Sequence, residues 1–150
     1  MYTAGKILYF DPFFFSNGDT AKRKYFIVLH NDNQNTLIAS LPTRGDFIPD
    51  SITQVHGCLN DDSMSINCYY FEQGKIITTN NWAFPLPTYA YGYQIDNYLI
   101  SRLMDVYKVE GAEYDVIGIL KKDEFNKILK CFSTSKSVKH KYKKILSKLI

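Results

Sequence analysis

The chain predicts a single α+β domain, residues 1–150, built on a small, strongly bent antiparallel β-barrel with helices packed outside it. Three observations carry that reading. The first half consists of short runs rich in β-branched and aromatic residues, separated by turn residues. The second half places apolar residues at helical spacing. At 150 residues the chain is also long enough to bury one substantial core without metals or a disulfide framework.

In order, Ile7 to Phe10, Tyr25 to Leu29 and Leu37 to Leu41 read as strands. The turn residues Asn31 to Asn35 stand between the last two, so these pair as a hairpin. A long polar connection with Gly57, Asn60, Asp61 and Asp62 follows, and then Ile66 to Glu72 and Lys75 to Thr79 meet at Gln73-Gly74 as a second hairpin. Trp82 to Pro87 is too rich in proline for a central strand.

Asp96 suits the N-cap of a helix with Leu99, Ile100, Leu103, Met104 and Tyr107 on one stripe, ending before Gly111. Tyr114 to Leu120 reads as the last strand. The helix 122–132 has Asp123 and Glu124 in its first turn and Phe125, Ile128, Leu129 and Phe132 on its apolar face. A basic amphipathic helix, residues 136–150, closes the chain, with Val138, Tyr142, Ile145 and Leu149 on one side.

The net charge of +3 is unevenly spread. Residues 121–150 hold ten lysines against Asp123 and Glu124, a net of +8, which leaves 8 basic and 13 acidic side chains in residues 1–120, a net of −5. An acidic body argues against a general polyanion-binding face, so any contact with nucleic acid falls to a local basic spot or to the tail. The apolar runs are far shorter than the roughly 20 residues that cross a bilayer, and Met1 to Lys6 lacks signal-peptide character. The chain therefore reads as cytoplasmic, with no membrane partner. Cys58, Cys68 and Cys131 have no CxxC spacing and suit free thiols in a reducing compartment, with a Cys58–Cys68 pairing left open. His56, Cys58 and Cys68 lack the fourth ligand and the knuckle spacing of a zinc site.

The order of elements resembles a known family. Gly5-Lys-Ile-Leu-Tyr-Phe10, the loop with Asn17-Gly18-Asp19, the basic entry to Lys24 through Asp32, and Thr36 through Thr43 resemble the opening of the PemK/MazF-like toxins. Val116-Ile-Gly-Ile-Leu120 with the helix from Lys122 to Phe132 resembles the way that family closes. The resemblance implies an SH3-like barrel, usually a homodimer, acting as a metal-independent endoribonuclease on single-stranded RNA, without cofactor and inhibited by an antitoxin protein. Its arginine at the entry to the second strand falls here on Arg23 or Lys24, and its hydroxyl leaving the third strand falls on Thr43. This sequence has Arg23-Lys24 where the family has Arg-Pro. A hairpin region at about 50–95 and the basic helix at about 136–150 are additions to the family pattern.

Metal-free RNA cleavage needs a base for the 2′-hydroxyl proton, an acid for the leaving oxygen and a cation against the phosphate charge. Lys24 suits acid/base work because neighbouring cations, Lys22 and Arg23, lower an amine's pKa. Arg23 or Arg44 suits a phosphate clamp and Thr43 a hydrogen-bond donor, with Lys22, Arg44 and His30 binding substrate. The plainer reading makes the basic triplet a solvated loop and His30 a strand-end histidine. The tyrosine-rich stretch from Tyr69 to Tyr93 can stack bases, fill the core or face a partner. Phe13, Phe14 and Phe15 cannot all bury on one face, which marks a partner surface or a lid. A catalytically silent barrel that binds a protein or nucleic acid is the alternative function.

Overall fold

The structure, a computed structural model, describes residues 2–15, 18 and 20–150. Its strands are β1 (Lys6–Phe13), β2 (Lys22–Asn31), β3 (Asn35–Ser40), β4 (Gly57–Asp61), β5 (Ile66–Phe71), β6 (Thr88–Tyr91), β7 (Ile95–Leu99) and β8 (Tyr114–Ile119). The helices are α1 (Ile100–Val106), between β7 and β8, and then α2 (Lys122–Ser133) and α3 (His140–Ser147). A five-stranded antiparallel sheet has the order β7-β3-β2-β1-β8, and a three-stranded antiparallel sheet has the order β4-β5-β6. The fold is α+β. Among the described residues the strands make two sheets and no closed barrel.

The β2–β3 hairpin forms where the turn residues place it. The Asp32 carboxylate accepts from the N–H groups of Gln34 and Asn35 at 3.0 and 2.7 Å, and Asn31 Oδ1 accepts from the N–H of Asn33 at 2.7 Å. Asn33 takes the left-handed conformation that this reversal requires (φ 75°). Side chains then alternate across the sheet. Ile7, Ile27, Leu29, Leu37 and Ala39 join Tyr69, Phe71, Ile128 and Phe132 in the larger core, whereas Leu8, Phe10, Phe26, Val28 and Ile38 join Tyr2, Leu103 and Tyr107 in a second. Both faces of the five-stranded sheet are therefore covered.

Several expectations are corrected. Lys75 to Thr79 is not the partner of β5, whose two edges are taken by β4 and β6. The chain doubles back instead, with the Trp82 N–H donating to Thr78 Oγ1 at 2.8 Å and Asn81 at φ 62°, and leaves only isolated bridges from Ile76 to Ala83 and from Thr78 to Leu120. Asp96 does not cap a helix. It lies within β7 opposite Ile38, because the free edge of β3 takes five residues into the ladder before α1 begins. The last helix is α3, shorter than 136–150, with Val138 ahead of it and Tyr142 and Leu146 in the core.

The cysteines are also reassigned. Cys58 and Cys131 form a disulfide that ties β4 to α2, and Cys68 is the buried free thiol. The phenylalanine run divides: Phe13 is buried at the end of β1 and Phe14 is exposed, its N–H donating to the Tyr107 hydroxyl at 2.7 Å. Of the expected polar loop, Asn17 and Asp19 lie outside the described residues. No described helix is long and apolar enough to cross a membrane.

Candidate functional site

The β2–β3 register builds a basic cleft. Phe26 pairs with Ser40 and Ile27 with Ala39, and the Leu41 N–H donates to the Tyr25 carbonyl at 3.0 Å, so the entry of β2 lies beside the segment that leaves β3. Pro42 has no N–H to continue the ladder. Its carbonyl instead accepts from the Tyr89 N–H at 2.9 Å, which hands the chain from the first sheet to the edge of the second. Lys22, Arg23, Lys24, Thr43 and Arg44 consequently line one cleft of about 670 Å³, together with Tyr9, Tyr25, Phe47 and Gln94.

The cations differ in environment. Lys24 is half-buried, and its amine is held below the ordinary lysine range, first by burial, then by the charges of Lys22 and Arg44. The neighbour that matters besides Lys22 is thus Arg44, from the segment after β3, rather than Arg23. Arg23 is exposed and pairs with Asp11, Nε to Oδ1 at 3.2 Å, which offsets part of its charge. Thr43 and Arg44 are exposed on the opposite wall. Four basic side chains, one of them an amine with a depressed pKa, and a hydroxyl suit a bound phosphodiester and proton transfer beside it.

His30 stands apart from this group. It is six residues along β2 from Lys24, roughly 20 Å at strand spacing, and pairs with Leu37 near the β2–β3 turn, outside the lining of the cleft. Tyr9, Phe47 and Gln94 were not singled out from the sequence. Tyr9 is detectable only through the register that sets it against Tyr25, their rings 4.6 Å apart. For Phe47 the available signal is a phenylalanine set in the polar run from Thr43 to Asp50.

A second polar cluster lies at the start of α2. His56 Nε2 donates to Glu124 Oε1 at 2.5 Å, the Tyr69 hydroxyl donates to Glu124 Oε2 at 2.7 Å, and His56 Nδ1 accepts from the Glu72 N–H at 3.0 Å. Burial pushes the Glu124 carboxyl up, but the bonds from His56 and Tyr69 outweigh it and leave the pKa depressed. Both nitrogens of His56 are engaged, so the cluster offers no free base and acts as a pin between the segment entering β4, β5 and α2. Among the described residues no group of three or more His, Cys, Asp or Glu is arranged to hold a metal ion. The chain matches no model of a known protein family and no curated protein.

Proposed function

We propose that the protein is a toxin-like endoribonuclease that cuts single-stranded RNA in the basic cleft by attack of the 2′-hydroxyl, without metal. The observation that supports this is the convergence of Lys22, Arg23, Lys24 and Arg44 with Thr43 around one cleft in which the Lys24 amine is depressed. In the proposed reaction a base removes the 2′-hydroxyl proton, the O2′–P bond forms as the P–O5′ bond breaks, and an acid protonates the leaving oxygen. Lys24 in its neutral form takes the 2′-hydroxyl proton and solvent water protonates the leaving oxygen, while Arg44 and Arg23 hold the phosphate oxygens and Thr43 donates a hydrogen bond to them.

The SH3-like barrel, the homodimer, the antitoxin partner and the cytoplasmic location belong to the same proposal and rest on the family resemblance of β1 to β3, β8 and α2. The Cys58–Cys131 bond runs against a reducing compartment. The test is cleavage of a labelled, unstructured RNA in EDTA. The wild type is expected to cut, and Lys24→Ala to lose about 10²-fold or more in rate. Cleavage that requires an added divalent ion, or that survives a combined Lys24→Ala, Arg44→Ala change, overturns the reading.

A second reading, a catalytically silent domain that binds a partner, is supported by the exposed Phe14, Leu99 and Val106 around a groove of about 480 Å³. Growth arrest on expression separates the two. The nuclease reading expects arrest that an Arg23→Ala, Lys24→Ala double variant relieves.

A further inference from the structure

We infer that Phe47 and Tyr93 form an aromatic platform for the nucleobase next to the phosphate held in the basic cleft, one ring meeting the face of that base and the other, perpendicular to it, its edge, with the Gln94 amide at the rim. The inference rests on the reading of the cleft as a polynucleotide site and adds to it the residues that recognise a base. Within the tyrosine-rich stretch, Tyr69, Phe71, Phe84, Tyr89 and Tyr91 are buried, but Tyr93 keeps 51% of its surface exposed and the nearby Phe47 keeps 53%. These two large rings touch each other, centroids 5.9 Å apart at 83°. Exposing paired aromatic rings is unfavourable in water unless something covers them.

Their position says what covers them. Phe47 lines the same cleft as the cations, and Arg44 is only three residues before it on a turn closed by the Ile48 N–H donating to the Gly45 carbonyl at 3.1 Å. That turn is held rigidly. The buried Tyr91 donates its hydroxyl to the Arg44 carbonyl at 2.5 Å and meets the Phe47 ring edge-on at 5.3 Å. A Cβ at Gly45 would stand 2.8 Å from the Tyr89 hydroxyl, so the turn lies against the second sheet as closely as a glycine allows. A phosphate on Arg44 therefore has an exposed aromatic ring beside it on the same segment of chain, which is the combination that unpaired nucleotides use.

Gln94 adds polarity at the rim. Its amide nitrogen donates to the Tyr93 hydroxyl at 3.2 Å and its oxygen accepts from Ser40 Oγ at 3.4 Å, which orients a group able to pair with a base edge. A bare polyanion has no use for these rings. An oligonucleotide with bases does.

The test compares, by fluorescence anisotropy, a labelled non-cleavable 2′-O-methyl oligonucleotide with an abasic phosphodiester chain of the same length. The wild type is expected to bind the base-bearing chain roughly 5- to 100-fold more tightly. Phe47→Leu, which keeps apolar bulk in the turn, and Tyr93→Ala should each reduce that ratio and leave abasic binding unchanged, whereas Lys24→Ala should weaken both chains together. Equal binding of the two chains by the wild type overturns the platform and leaves the cleft as a phosphate site. Loss of both chains in Phe47→Leu overturns it too, since the ring would then only prop Arg44. No binding of either chain removes the cleft reading and the platform with it.

Discussion

The Tyr91 hydroxyl donates to the carbonyl oxygen of Arg44 at 2.5 Å, so the second sheet holds in place the turn that forms one wall of the basic cleft. Tyr91 is buried beside Tyr89, whose own hydroxyl donates to Gln54 Oε1 at 2.6 Å. Removing only the oxygen in Tyr91→Phe keeps the ring packing and frees the Arg44 carbonyl. The expected cost is about 1–3 kcal/mol in urea unfolding, accompanied by weaker binding of an abasic phosphodiester chain as Arg44 loses its position. Unchanged stability and unchanged binding would show that the bond does not hold the turn.

Lys24 offers a measurement that does not depend on activity. Its amine lies below the ordinary lysine value of 10.5 through burial, Lys22 and Arg44, in that order. The charged form is the one disfavoured in the folded protein, so Lys24 should lose its proton below the ordinary lysine value as pH rises. Side-chain NMR should record this, and Arg44→Gln should move the midpoint back upward without restoring it fully, because burial remains. A Lys24 signal that titrates at or above the ordinary lysine value would remove the proton-transfer role.

The convergence of chain segments at this cleft is legible in the sequence for a local reason. Asn31 to Asn35 reverse the chain between two apolar runs, and a hairpin with that turn necessarily sets the entry of β2 beside the exit of β3. That accounts for the nearness of Arg23 and Lys24 to Thr43 and Arg44; their choice as a catalytic set rests on the family resemblance. Elements made by long-range pairing were not legible. β4 has one buried residue, Leu59, and is a strand because β5 lies beside it, whereas β7 carries Asp96 and Asn97 on an exposed edge and carries the polar signal of a helix cap. His56 and Glu124 are 68 residues apart, and each looked ordinary alone.

The disulfide gives a direct count. Cys58 and Cys131 are separated by 73 residues, and the bond restricts the unfolded chain across that whole span. Unfolded without reductant, the protein should expose one reactive thiol, Cys68, and with reductant three. Replacing Cys58 by Ser should lower stability by about 2–4 kcal/mol. Cys58 is exposed while Cys131 is buried, so reduction should begin from the Cys58 side. Three reactive thiols without reductant would contradict the pairing.

Glu124 makes acid stability a test of the pin at the start of α2. Its carboxyl is depressed below the ordinary 4.5, burial being outweighed by the bonds from His56 and Tyr69. A carboxylate with a depressed folded pKa stabilises the fold above its unfolded pKa, and that contribution is lost as pH falls through the folded value. Glu124→Gln keeps the shape and removes the charge, so it should cost about 1–2 kcal/mol at pH 7, and the gap should close as urea unfolding is repeated from pH 4.5 downward. His56→Ala leaves the carboxylate buried with only Tyr69 as a side-chain donor and should destabilise the protein at neutral pH at least as strongly. Wild-type and Glu124→Gln curves that stay parallel through the acid range would mean that α2 is held by Ile128, Leu129 and Phe132 in the core rather than by this carboxylate.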